Sequence, residues 1–360
     1  MKKGTLLLAN GVEFEGVCFG AEGTVIGEVV FTTSAVGYQE ALSDPAYHGQ
    51  ILLQTFPLIG NYGTNDEDYA SASCHVTGYL VREWCDTPSN FRMQDNIDHF
   101  LKKHGIIGLC GIDTRRLTHI LREQGTMNGV IFSGEADKAA LLEQLKSHKL
   151  VRPAADVAVK EPVSYPAKQE AYRVAVLDFG YDRSLVAELN RRGCSVTVFP
   201  ALTTAEQIKQ LGMDGIVLSD GPGNPEDYTD EVANIKEITA LGLPIFGISL
   251  GHQLLAMAMG AKTKKLLHGH RGASQPVVDL RHGRTYVTAQ NHGYIVDKES
   301  LSSDVGTVSC LNANDKSCEG IDYLSIPAFS VQFRPNVIQY RSAPESEYDR
   351  FVQMLARENA

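Results

Sequence analysis

From residue 173 onward, short continuous apolar runs alternate with stretches of helical period. Arg173-Val174-Ala175-Val176-Leu177-Asp178, Ser195-Val196-Thr197-Val198-Phe199, Gly215-Ile216-Val217-Leu218-Ser219 and Pro244-Ile245-Phe246-Gly247-Ile248 read as strands, with helices predicted over 183–192, 204–211 and 229–241. Strands that are apolar at every position are covered on both faces, and with helices between them they predict an α/β unit built on a mostly parallel sheet. In such sheets ligands gather at the carboxyl ends of the strands. The first 150 residues are patterned differently. Short β segments such as Gly27-Glu28-Val29-Val30-Phe31 and Gln50-Ile51-Leu52-Leu53-Gln54-Thr55 are separated by Gly, Pro and Asn turns, and helical spacing is confined to 97–104, 115–124 and 136–147. That half is expected to be α+β, its opening residues forming a strand that turns at Asn10-Gly11. Residues 151–171 hold Pro153, Pro162 and Pro166 and sustain neither period. The chain therefore divides into a domain over 1–150, a linker over 151–171 and a second domain over 172–360.

Composition removes several classes of function. Hydrophobic residues are 43% and charged residues 21% of the 360, the balance of a chain with enough apolar surface to fill two cores. A net charge of −10 with dispersed Lys and Arg argues against a nucleic-acid partner. The apolar run near the start is too short for a signal segment, and no stretch approaches the roughly 18–20 apolar residues of a membrane helix. A cytoplasmic protein without membrane contact is expected. Seven cysteines (Cys18, Cys74, Cys85, Cys110, Cys194, Cys310 and Cys318) form no C-x-x-C pair, so they read as reduced thiols, mostly buried. His268-Gly269-His270 is the nearest approach to a metal pair and reads as a polar loop, so no metal site is predicted.

The segment with most chemical content is Gly247-Ile248-Ser249-Leu250-Gly251-His252-Gln253-Leu254-Leu255-Ala256, which joins an apolar strand to an apolar helix. Glycines flanking the central residue permit a sharp turn that lifts its side chain over the sheet edge, while amides at the new helix start face the same space. This is the form of a nucleophile elbow, although Gly-x-Ser-x-Gly also occurs by accident. No phosphate-cradling Gly-x-x-x-x-Gly-Lys-Ser/Thr and no strand-linked Gly-x-Gly-x-x-Gly is present, so no nucleotide cofactor is expected in this chain.

Around the elbow the chain resembles the class I glutamine amidotransferases. Leu218-Ser219-Asp220-Gly221-Pro222-Gly223-Asn224-Pro225, Gly269-His270-Arg271-Gly272-Ala273, Gln290-Asn291-His292-Gly293-Tyr294 and Ser330-Val331-Gln332-Phe333 narrow the likeness to the small subunit of carbamoyl phosphate synthetase. The first half agrees through Gly27-Glu28-Val29-Val30-Phe31, Gly37-Tyr38-Gln39-Glu40, Ile59-Gly60-Asn61-Tyr62-Gly63, Pro88-Ser89-Asn90 and Gly111-Ile112-Asp113-Thr114-Arg115. The resemblance runs from about residue 4 to about residue 355. It implies an amino-terminal domain of the small-subunit type followed by an amidotransferase domain that releases ammonia from glutamine. It also implies a large-subunit partner that receives the ammonia and carries, by itself, the ATP and metal.

In the family a cysteine at the elbow attacks glutamine, a histidine takes its proton and a glutamate orients the histidine. The matching positions here are Ser249, Arg334 and Asn336. A guanidinium cannot accept a proton near neutrality, and a neutral amide cannot hold an imidazolium. The glutaminase is therefore expected to be silent, leaving a structural or regulatory role beside an ammonia-using large subunit. Further departures point the same way: Asp44-Pro45-Ala46-Tyr47 stands for Asp-Pro-Ser-Tyr, Gly272-Ala273-Ser274 for Gly-x-Asn, and Asp182 occupies the lysine of Asp-Phe-Gly-x-Lys-x-Asn. The substrate-binding positions implied by the family persist at Gly221, Gly223, Leu250, Gln253, Asn291, Gly293 and Tyr294, so glutamine or another small amide remains a candidate ligand. Two alternatives stay open. Ser249 could serve a hydrolase with His292 or His252 as base, or residual amidotransferase activity could be completed by the partner.

Overall fold

The computed structural model describes residues 2–335 and 346–358, so Asn336 lies outside the described residues. The chain divides into two compact units, Met1–Leu150 and Val151–Ala360.

In the first unit the strands Lys3–Leu8, Glu13–Gly20, Ile107–Cys110, Gly78–Leu80, Gln50–Gln54, Val25–Thr32 and Met127–Ser133 follow one another around a closed barrel. Alternation along a strand explains the opening leucines. Leu6 and Leu8 join Val29, Ile51, Leu53, Leu80, Leu109 and Ile131 in one core, while Leu7 turns to the other face and packs with Val130, Phe132 and Leu145 of the helix Lys138–Ser147. The helix Thr114–Gln124 begins where the Asp113 side chain accepts from the Arg116 amide, and it buries Leu117 and Leu121. The expected α+β mixture is present. Closure of the sheet, which leaves the barrel no free edge, is the feature that local patterning did not contain.

The second unit holds a ten-stranded sheet. Its parallel centre is made by Cys194–Pro200, Tyr172–Asp178, Gly215–Leu218, Ile245–Ile248 and Ala328–Val331, and the helices Arg183–Arg191, Ala205–Gln210, Thr229–Thr239 and Leu250–Ala258 follow four of these strands. Two large buried clusters, one around Leu177, Leu218 and Leu254 and one around Val176, Val217 and Phe246, account for strands that are apolar throughout. Beyond Ala328–Val331 the sheet continues antiparallel through Cys318–Tyr323, Gly306–Asn312, Lys262–Asp279 and Arg284–Asp297. The segment 151–171 is more ordered than a plain connector. It forms a short helix, Ala154–Val157, and an edge strand, Val163–Tyr165, paired antiparallel with Cys194–Pro200. Its Val159 amide also donates to buried Asp178. A period cannot be read from pieces of three or four residues, which is why that order is silent in the sequence.

All seven cysteines are free; Cys194, Cys310 and Cys318 are buried and the other four half-buried, fewer than expected from the apolar character of the residue. No helix among the described residues is long and apolar enough to cross a membrane.

Candidate functional site

Strand register brings the site together. Leu177 pairs with Leu218, Leu218 with Gly247, and Gly247 with Ser330, so four parallel strands end side by side. The residues just past those ends are Asp182, Asp220, Ser249 and Arg334. They lie far apart in sequence and become neighbours only through the parallel topology.

Ser249 occupies the turn between Ile245–Ile248 and Leu250–Ala258 with φ +50° and ψ −105°. A side-chain-bearing residue in that region costs on the order of 1–3 kcal/mol, and the surrounding packing enforces it. A Cβ on Gly251 would stand 2.3 Å from the Leu218 carbonyl oxygen, and one on Gly247 would stand 3.0 Å from the Gly251 carbonyl oxygen. Only glycine allows the helix to start this close to the neighbouring strand. The elbow expected from the sequence is therefore formed. Ser249 is 5% exposed, and its amide donates to the Val331 carbonyl.

A chain of amides runs from this hydroxyl. Gln332 Nε2 lies 3.5 Å from Ser249 Oγ, Gln332 Oε1 accepts from Gln253 Nε2 at 2.9 Å, and the same nitrogen reaches the Tyr294 carbonyl at 2.7 Å. Gln253, Tyr294 and Ser249, all expected from the sequence, are thus connected, and the link between them is Gln332, to which the sequence assigned no role. Leu250 is buried as the first residue of the elbow helix, whose opening amides have no carbonyl within the helix to meet. Gly221 and Gly223 form the loop after Gly215–Leu218; a Cβ on Gly221 would meet the Phe179 carbonyl oxygen at 2.3 Å, and Gly223 has φ +107°. Asn291 and Gly293 lie on the strand Arg284–Asp297, with Asn291 opposite Arg271.

Arg334 is fixed at both ends. Its backbone amide donates to the Ala289 carbonyl at 2.9 Å, its Nη2 donates to Asp220 Oδ2 at 3.0 Å, and its Nη1 is 3.6 Å from Asp182 Oδ2. All three side chains are mostly buried, at 16%, 4% and 18% exposure respectively, so the attraction is little screened. Asp182 also caps the helix Arg183–Arg191 by accepting from the Ser184 amide. Asp220 was not singled out from the sequence, and Asp182 was noted only as a departure from the resembling family and not as a partner of Arg334. The signal was there, because Asp182 stands where the resembling family has lysine, a reversal of charge, and Arg334 where it has histidine, a titratable base exchanged for a permanent cation, and the two meet in space.

Neither histidine considered as a base approaches Ser249 by hydrogen bonding. His252 directs Nδ1 to Ser330 Oγ at 2.7 Å, its Nε2 has no partner, and burial pushes its pKa down to about 3. It points to the neighbouring strand Ala328–Val331, where Ser330 takes its Nδ1. His292 directs Nδ1 to the Tyr294 carbonyl at 2.9 Å and has Gln290 Oε1 3.0 Å from Nε2; burial holds it well below the ordinary imidazole range. His268, paired in the sequence with His270, turns Nδ1 to the Gly269 carbonyl.

Comparison with known proteins places both units in known families. The family model described as carbamoyl-phosphate synthase small chain, CPSase domain, matches residues 6–131, and that of glutamine amidotransferase class-I matches 175–354. The carbamoyl phosphate synthase small chain of Listeria monocytogenes serotype 4b (strain F2365) is 44% identical over 356 residues, covering 99% of this chain and 97% of that one. The protein of the same name from Bacillus cereus (strain ATCC 10987 / NRS 248) is 44% identical over 353 residues, covering 98% and 95%. Among solved structures, a glutamine amidotransferase from Thermotoga maritima has a TM-score of 0.38 at 21% identity, covering 47% of this chain and 78% of that chain. With both domain models and nearly full-length relatives in agreement, the chain belongs to the carbamoyl phosphate synthase small chain family.

Proposed function

We propose that this chain is a carbamoyl phosphate synthase small chain that no longer hydrolyses glutamine and serves as a structural or regulatory partner of a large chain using free ammonia. The observation that carries the reading is Arg334, a permanently protonated group bound to Asp220 in the place where a proton acceptor is required. Ser249 keeps the elbow geometry, but the side chain that approaches its hydroxyl is the Gln332 amide and not an imidazole. Loss of a nucleophile in a comparable triad costs on the order of 10⁶ in turnover, so a hydroxyl without a base leaves no useful rate. The amide chain through Gln253 and Tyr294 supports retention of a pocket for glutamine or a similar small amide. ATP and the metal serving it belong, in this reading, to the large chain, and the assembly works in the cytoplasm, supplying carbamoyl phosphate to arginine or pyrimidine synthesis.

The test is to purify the chain with a carbamoyl phosphate synthase large chain and measure product formation with ammonia and with glutamine. A stable complex that is active with ammonia and inactive with glutamine is expected. Ammonia release from glutamine above the large-chain background would defeat the proposal, as would acylation of Ser249 by an amide substrate.

A further inference from the structure

The antiparallel extension of the sheet encloses a cluster that the elbow does not use. His270 on Lys262–Asp279 lies opposite His292 on Arg284–Asp297, and Glu319 stands on Cys318–Tyr323. One ligand atom from each falls within 4.8 Å of the others, and the residues are 8%, 7% and 0% exposed. We propose that His270, His292 and Glu319 form a structural site for one divalent ion of the zinc class, with the side-chain oxygen of Gln290 as fourth ligand.

The surroundings are those that orient metal ligands. Each imidazole is anchored by its remote nitrogen: His270 Nε2 lies 3.0 Å from Asp315 Oδ2, and His292 Nδ1 meets the Tyr294 carbonyl at 2.9 Å. That arrangement leaves His270 Nδ1 and His292 Nε2 facing inward, the usual pattern of a ligating histidine held by a carboxylate or carbonyl. His270 Nδ1 is 3.4 Å from Glu319 Oε1. The carboxylate is held in turn by Asn312 Nδ2 at 3.1 Å and Gln290 Nε2 at 2.9 Å.

Gln290 supplies the second, independent observation. Its amide nitrogen is committed to Glu319 and to Thr288 Oγ1, which leaves its oxygen 3.0 Å from His292 Nε2. With the other ring nitrogen donating to a carbonyl, two acceptors confront each other in a buried space. A cation bound to both resolves the conflict. Bonds of about 2.0–2.2 Å set tetrahedral ligand atoms about 3.3–3.6 Å apart, so a separation of 4.8 Å must contract by about 1.2–1.5 Å through side-chain rotation. The ion's two positive charges balance Glu319 and Asp315. Asp315, with its side chain 42% exposed, marks the way in from solvent. Such a site would tie three strands together and fix the hairpin that carries Asn291, Gly293 and Tyr294.

The experiment uses the full untagged chain, stripped with a chelator and titrated with cobalt(II) and then zinc(II). Expected are uptake of about one equivalent per chain, the intense visible bands of tetrahedral cobalt, and a melting temperature raised by several degrees with zinc. Glu319→Gln and His270→Gln should abolish uptake, and Asp315→Asn, a change at a half-exposed position that spares the core, should weaken it about 10-fold or more. A wild-type chain that takes up neither ion at tens of micromolar overturns the site and leaves a buried ion pair only. Uptake unaffected by Asp315→Asn and by whichever ligand variants fold also overturns it.

Discussion

At the carboxyl ends of the parallel strands, Ser249 sits on a strained turn among amides, a guanidinium and two carboxylates. In the antiparallel extension of the same sheet, His270 and His292 lie with Glu319 in a buried cluster, and their ring nitrogens meet carboxylates, a carbonyl and an amide. The first region has a nucleophile-elbow backbone with an amide beside the hydroxyl and a guanidinium bound to carboxylates, and the second has imidazoles and a carboxylate without the elbow. Catalysis by a nucleophile and base needs the two within about 3 Å, so possession of both kinds of group in one domain confers nothing until topology joins them. Around Ser249 the charges have instead become mutual partners.

The comparison is broken most forcefully by restoring proton chemistry at the elbow. Ser249→Cys, Arg334→His and Asn336→Glu together, with Asp182→Lys to replace the charge lost from Arg334, are expected to raise glutamine hydrolysis by about 10³-fold or more over the parent chain. The measurement is ammonia release in the presence of the large chain. A folded variant with no gain would mean that the triad positions alone do not set the rate of glutamine hydrolysis in this chain.

Next in size is the guanidinium itself. Arg334→Met removes the guanidinium 3.0 Å from the carboxylate of Asp220, which is 3% exposed, and is expected to cost about 2–3 kcal/mol in denaturant unfolding. Combining it with Asp220→Asn should recover much of that loss, whereas strict additivity would show that the pair does not couple.

A smaller effect separates His252 from a working base. Its folded pKa near 3 lies below the unfolded value of about 6.5, so the unfolded chain binds the extra proton between these pH values. Its contribution is fully present above pH 6.5 and is withdrawn as pH falls toward 3, by about 2 kcal/mol at pH 5. Stability measured against pH should therefore fall less steeply in His252→Gln than in the parent. Equal slopes would mean that the ring titrates in the folded state.

The smallest change concerns stored strain. If the elbow no longer holds a working nucleophile, Ser249→Gly should stabilise the unit by about 1 kcal/mol, because glycine adopts φ +50° freely and the relief exceeds its entropic cost. A loss of stability in thermal unfolding would assign the hydroxyl a structural contact stronger than its 3.5 Å approach to Gln332.

Much of the parallel centre was legible because its strands are short, predominantly apolar runs and its helices keep their period. The predicted helix 229–241 is observed as Thr229–Thr239, and the predicted strand over 173–178 as Tyr172–Asp178. The elbow was legible because glycine at 247 and 251 has few other uses beside an apolar strand. Closure of the amino-terminal barrel was not, since pairing of Lys3–Leu8 with Met127–Ser133 joins segments more than a hundred residues apart. His270, read beside His268, finds its real neighbours on two later strands.

The sequence by itself determined the alternation of strands and helices, the turn that presents residue 249, and the absence of a histidine base at 334. Tertiary structure decided what the replacements do: which carboxylates hold Arg334, which way His252 and His292 turn their rings, and which two histidines converge with Glu319. The reason is that local pattern fixes each residue's backbone and face, whereas a charge or a lone pair acquires its partner only when strand register sets distant segments side by side.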